Sequence, residues 1–157
     1  MPSEYKKAKD KAWKVFSRYI RLRDALKTTG DTEYARCYTC GRLFHIKEMD
    51  AGHWITRNRM PTFMNHRNVN AQCRGCNRFG DGRVVEYQAH LIEEYGSTVL
   101  EQLTETAQKQ VKLKACDWNT LSEQYKQLVS MLENGEDWRG ASDPWEMMLE
   151  TKGVIDG

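Results

Sequence analysis

The 157-residue chain has no apolar run approaching the roughly 20 residues that cross a bilayer, which excludes a transmembrane helix. Its first residues, "MPSEYKKAKDK", lack the apolar centre of a signal peptide, so the expected location is the cytoplasm. There is no internal repeat and no low-complexity tract, which leaves one ordinary domain with helical extensions. Apolar residues are few, at 39%, and the mean hydropathy is −0.78. A small core of that kind calls for a staple such as a metal. In a reducing compartment the five cysteines read as metal ligands before disulfides.

The formal charge of +2 hides a strong polarity. Residues 1–30 hold nine Lys/Arg against three Asp/Glu, and residues 31–83 nine against five. Residues 84–157 reverse the sign, with six against fourteen. A polyanion would dock on the basic half, while the acidic half would avoid it or meet protein.

Residues 1–30 read as one long basic helix. Tyr5, Ala8, Ala12, Phe16, Tyr19, Leu22 and Leu26 form an apolar stripe, with Ser3 to cap the start and Gly30 to end it. Lys7, Lys11, Lys14, Arg18 and Arg21 follow the same rhythm on another face, as a solvated surface or a phosphate-contacting one. Residues 31–96 open with short pieces: "RLFHI" and "DAGHWI" as strands joined by a turn, a loop around Pro61, and "VNAQCRGCNRF" beginning a helix. The "GDG" at 80–82 breaks the chain ahead of a helix ending at Gly96. Residues 97–157 form an acidic helical region, including a helix capped by Asn119 with Leu121, Tyr125, Leu128 and Leu132 on one face, and a short helix near 144–150. The apolar faces that these acidic helices leave over are the expected contact of a homodimer.

Cys37 and Cys40, then Cys73 and Cys76, are two Cys-x-x-Cys knuckles, a set that suits one tetrahedral structural Zn²⁺ with no coordination position open for chemistry. Residues 41–72 lie between them, enough for a hairpin and an excursion. Zinc would therefore hold the second strand, with Asp50-Ala51-Gly52-His53, against the element that starts with Asn77. A neutral imidazole that takes a proton from water, and a carboxamide oxygen that suits Mg²⁺ or Mn²⁺, fit phosphodiester hydrolysis. Arg57, Arg59, Arg67, Arg74 and Arg78 surround them in sequence. His45 and His90 read as structural, His66 as a loop residue that could touch phosphate, and the five tryptophans as core or interface residues before base-stacking ones, with Trp54 the one to test for DNA contact.

The span from Cys37 to Asn77 resembles an HNH, or ββα-metal, endonuclease centre. "CYTC", "DAGHW" and "NVNAQCRGCN", with "FSRYIRLRD" upstream, resemble more narrowly the phage NinG/Rap recombination proteins, over roughly residues 10–105. The resemblance implies an α+β protein: a zinc-stapled ββα-metal module flanked by a long N-terminal helix and a helical C-terminal region. It implies a metal-dependent endonuclease acting on branched DNA, such as Holliday junctions, D-loops and three-way junctions, in phage recombination. By the same resemblance His53 matches the general base, Asn77 the metal ligand, and Asn68 the residue that orients histidine and loop. Many HNH centres carry a second ligand directly before the base, where this chain has Gly52. Asp50 is then either a group that orients the ion's waters or a direct ligand. The rival readings are a nonspecific nuclease and a zinc-stabilised DNA-binding module that does not cut.

Overall fold

In the computed structural model, which describes residues 1–155, helix α1 runs over Glu4–Thr29. Ser3 Oγ accepts the Lys6 N–H at 3.1 Å, and Gly30 ends the helix in the left-handed region at φ 79°. Ala8, Ala12, Phe16, Tyr19 and Leu22 are buried, while Tyr5 at the stripe's outer end is exposed. Tyr5, Phe16 and Tyr19 meet Trp118 or Tyr125 of a helix more than a hundred positions away.

Between them lie four short strands: β1 (Tyr34–Arg36), β2 (Leu43–His45), β3 (Met49–His53) and β4 (Val69–Cys73). The pairing corrects the expectation from sequence. The "RLFHI" strand pairs with β1, Tyr34 opposite His45, and the "DAGH" strand β3 pairs antiparallel with β4, Met49 opposite Cys73 and His53 opposite Val69. The segment expected to begin a helix at Val69 is therefore a strand. Every residue of β4 is buried, so the two-residue alternation that marks a half-exposed strand is absent from it. Only a single π-helical turn follows, at Gly75–Phe79, closed by the Gly80 N–H on the Gly75 carbonyl at 2.8 Å. Asp81, Gly82 and Arg83 all take positive φ, which stops that turn before helix α2 (Val84–Tyr95).

Helix α3 spans Val99–Ala107, α4 Ala115–Glu133 and α5 Pro144–Thr151. The α4 helix starts earlier than expected. Asp117 Oδ2 accepts the Lys114 N–H at 2.7 Å and caps it, so Asn119 lies inside the helix rather than at its start. Leu121, Tyr125, Leu128 and Leu132 are buried in the core shared with α1, where Tyr125 meets Phe16 edge-on at 5.0 Å. This face is occupied within the chain. Tyr87, Leu91, Val99 and Leu103 form a second, smaller core with Tyr38, Trp54 and Ile55. Among the described residues no helix is long and apolar enough to cross a membrane.

A buried pair locks α1 to the outer edge of β4. Asp24 accepts the Ala71 N–H at 2.7 Å and Arg23 Nε at 2.8 Å. The same guanidinium reaches the carbonyls of His66 and Val69 and Oδ1 of Asn70. Burial alone would disfavour the Arg23 charge, but Asp24 beside it holds the guanidinium protonated more firmly than usual. Asp24→Ala leaves that guanidinium buried without its partner, so urea unfolding of the zinc-loaded protein should show a loss of about 3–5 kcal/mol. A loss below about 1 kcal/mol would mean that the pair does not hold the edge.

Candidate active site

The first knuckle follows β1, and the second spans the end of β4 and the π turn. Packing of these elements brings one sulfur from each of Cys37, Cys40, Cys73 and Cys76 to within 4.8 Å of one another. Cys40 and Cys73 Sγ are 3.9 Å apart, far beyond a disulfide bond and close to the roughly 3.8 Å edge of a tetrahedron built on Zn–S bonds of about 2.3 Å. Burial resists ionisation of Cys37, but the Thr39 hydroxyl and the amides of Cys40, Cys73 and Thr39 outweigh it and bring the thiol down to about 6. These four residues fit zinc.

His53, at the end of β3, lies in an aromatic stack. The Trp13 ring of α1 covers it at 5.0 Å and 18°, and Phe63 lies nearly parallel to it at 5.7 Å. Trp118 of α4 backs Phe63 edge-on, and the indole of Trp145 in α5 donates to the Pro61 carbonyl at 2.9 Å. The acidic C-terminal region thus backs the loop that carries Phe63. Burial, with Arg57 nearby, lowers the His53 pKa to about 4 against the pull of the Phe63 carbonyl, so the ring is neutral near pH 7. His53 Nε2 is 2.8 Å from that carbonyl. A carbonyl only accepts, so Nε2 carries the proton and Nδ1 is the basic nitrogen.

A cavity of about 300 Å³ lies between α1 and the π turn, lined by Trp13, Ser17, Asp50, Ala51, Arg57, Asn77 and Arg78. Asp50 accepts the Asn77 amide at 3.0 Å and both Nε and Nη2 of Arg78, at 2.9 and 2.8 Å. Burial opposes the Asp50 charge, but these bonds keep its carboxyl below the usual range. Its oxygens hold Asn77 and Arg78, and Asn77 turns Oδ1 toward Gly52. A carboxamide oxygen so presented fits a hard divalent cation that keeps most of its waters. A Cβ on residue 52 would lie 1.8 Å from Gln72 Oε1, so any other residue there requires the Gln72 side chain to move. Buried Asn68 accepts the Ile55 N–H at 2.7 Å and donates to the carbonyls of Ile55 and Thr62, which ties down the loop after His53.

The basic residues divide by what they touch. Lys7, Lys11, Lys14, Arg57 and Arg59 are exposed, with the Arg57 guanidinium over the Trp13 and Phe63 rings. Arg18 pairs with Glu133 at 2.5 Å, and Arg21 donates to the Ser17 and Ile46 carbonyls. Arg67 holds Gln102, and Arg74 donates to the Lys47 carbonyl. His66 faces Asp143 and Glu146 rather than the cavity. Trp54 packs in the smaller core, and the tryptophan at the site is Trp13. Nothing in the sequence singled out Trp13 or Gln72. The nearest signals were an aromatic off the apolar stripe of α1 and a polar residue in a segment that otherwise reads as core.

Fold and site together describe a small α+β chain with a four-cysteine cluster, a histidine stacked between aromatic rings on β3, and a cleft lined by Asp50 and Asn77. The family model described as "Bacteriophage Lambda NinG protein" matches residues 3–136, and the chain belongs to the NinG family. Over 99 residues, 62% of this chain, it is 28% identical to "Protein ninG" of Escherichia phage lambda and to that of Salmonella phage P22. The corresponding protein of Escherichia phage 933W is 27% identical over the same length. These matches cover 48% of each relative, so the chain matches about half the length of its curated relatives. No solved structure matches it.

Purified protein should carry about one zinc per chain by metal analysis, and Cys40→Ser with Cys76→Ser should abolish it. Because structural zinc in finger peptides contributes roughly 10–16 kcal/mol, that double variant should also lose the cooperative unfolding transition. Nitrogen-detected NMR should find the His53 ring neutral at pH 6, protonated at Nε2, and titrating only toward about pH 4. A ring charged at pH 6 would overturn the buried-base geometry.

Proposed function

We propose that this protein is a metal-dependent endonuclease that hydrolyses DNA phosphodiesters at branched recombination intermediates. One observation carries the reading: His53 on β3 is a neutral base with its proton fixed at Nε2, and the preceding residue of the strand, Gly52, faces a carboxamide whose oxygen is left free by Asp50. His53 Nδ1 would take the proton from the attacking water. Asn77 Oδ1 would hold the divalent ion, and Asp50 would keep Asn77 turned toward it. Bound there, Mg²⁺ or Mn²⁺ supplies polarisation of the phosphate and charge stabilisation on the leaving oxygen. The thiolate cluster takes no part in the reaction; it holds the π turn, and with it Asn77, against the end of β4.

The cleft suits a polyanion. Arg57 lines it, Arg78 lines it while paired with Asp50, and the exposed Lys7, Lys11 and Lys14 extend positive charge along α1. Of the residues expected from sequence to contact DNA, Arg18, Arg21, Arg67 and Arg74 already hold partners within the chain and serve packing first. The preference for branched DNA comes from likeness to the NinG/Rap group, and cutting both arms of a junction calls for two centres. A homodimer would have to pair through a surface other than the buried face of α4.

Cleavage of four-way, three-way and linear substrates with Mg²⁺ tests the reading. The expected result is cutting of the branched DNAs, weakened by salt, with His53→Ala slower by about 10²–10⁴-fold and Asn77→Ala inactive but folded and zinc-loaded. Equal cutting of all three substrates would make the enzyme a nonspecific nuclease. Undiminished cleavage by folded His53→Ala would remove the catalytic assignment, and salt-sensitive binding without cleavage would leave a DNA-binding module.

A further inference from the structure

Two acceptor oxygens meet at Gly52 with no donor between them. Gln72 is fully buried on β4, in register with Asp50. Its amide nitrogen donates to Thr39 Oγ1 and to the Gly82 carbonyl, both at 3.1 Å. With both N–H groups engaged, Oε1 is directed to the opposite side, where it finds no hydrogen-bond partner among the described residues. Asn77 is oriented the same way: its amide nitrogen donates to Asp50, and Oδ1 turns inward. Gln72 Oε1 and Asn77 Oδ1 lie 1.8 and 3.0 Å from one point, the place a Cβ on residue 52 would take.

A buried carboxamide oxygen without a donor is costly, and a second acceptor beside it adds repulsion. A cation relieves both. The position also matters, because Gly52 immediately precedes His53 and carries no side chain of its own to offer. Gln72 reaches across from the partner strand into the space that such a side chain would fill. We infer that Gln72 is the second protein ligand of the divalent ion, its Oε1 converging with Asn77 Oδ1 beside Gly52. Two neutral oxygens and several waters form a donor set suited to Mg²⁺ or Mn²⁺, and one that leaves soft metals to the cysteines. Thr39 links the two sites, since it accepts from Gln72 and contacts Cys37 Sγ at 3.4 Å.

The inference rests on the nuclease reading only for the ion itself, and direct Mn²⁺ binding separates the two. Electron paramagnetic resonance titration of Mn²⁺ into the zinc-loaded full chain, without DNA, is carried out on wild type, Asn77→Ala, Gln72→Met and Gln72→Glu. Zinc content and thermal unfolding are checked for each. Wild type should bind one Mn²⁺ and Asn77→Ala should lose it. Gln72→Met should weaken it roughly tenfold or more, and Gln72→Glu, which keeps an oxygen and adds charge, should tighten it. A Gln72 that serves only as a strut between Thr39 and Gly82 predicts the reverse for Gln72→Glu, which loses both donated bonds yet leaves Mn²⁺ affinity unraised. Unchanged Mn²⁺ affinity in both Gln72 variants, with loss in Asn77→Ala, would overturn the role of Gln72 and leave the nuclease site standing. Absence of Mn²⁺ binding by wild type would overturn both. If Gln72→Met unfolds, the rise or lack of rise in Gln72→Glu decides.

Discussion

The Arg23–Asp24 pair on α1 is the contact on which the arrangement depends. β4 pairs with β3 along one edge, and its other edge would present bare amides and carbonyls inside the protein. Asp24 satisfies the Ala71 N–H, Arg23 satisfies the Val69 carbonyl, and the Tyr38 N–H satisfies the Ala71 carbonyl at 2.8 Å. A two-stranded sheet is marginal alone, so its edge has to be covered by other parts of the chain. Covering it with an ion pair sets the position of α1 along the strand as well as its distance from it. Trp13 is thereby delivered to His53 from nearly three helical turns away.

The site draws opposite electrostatic behaviour from groups close together. His53 is kept uncharged by burial between aromatic rings and by the proximity of Arg57. Asp50 is kept charged by the Arg78 guanidinium and the Asn77 amide. A neutral base and an anchored carboxylate at one pH are what hydrolysis with a single hard cation requires. The strand register separates the roles: Asp50 and Gly52 face the π turn, while Ala51 packs in the core beneath α1 and His53 stacks on its Trp13. The cysteine cluster lies at the sheet's end, so under the proposed function stability and catalysis would call on different metals through adjoining residues, Cys76 and Asn77.

Much of this was readable along the chain. Ser3 and Gly30 bound α1 as their chemistry implies, and the two knuckles converge as their spacing implies. β4 was misread because a doubly buried strand with Asn70 and Gln72 inside it has neither alternation nor an apolar run. The apolar face of α4 was visible, but not that α1 would cover it, since an amphipathic stripe does not name its partner. Arg18 and Arg21 share the periodicity of Lys7, Lys11 and Lys14, yet Glu133 and the Ile46 carbonyl, far off in sequence, engage them.

By itself the sequence determined the helix of residues 4–29, the four cysteines as one set, and the roles open to His53 and Asn77, because caps, spacing and residue chemistry act over a few positions. Only the tertiary structure decided that Trp13 and Phe63 enclose His53, that Asp50 holds Asn77, and that Gln72 fills the space beside Gly52. Those contacts join residues 10 to 40 positions apart. Their geometry depends on strand register and on the docking of α1, which no local pattern encodes.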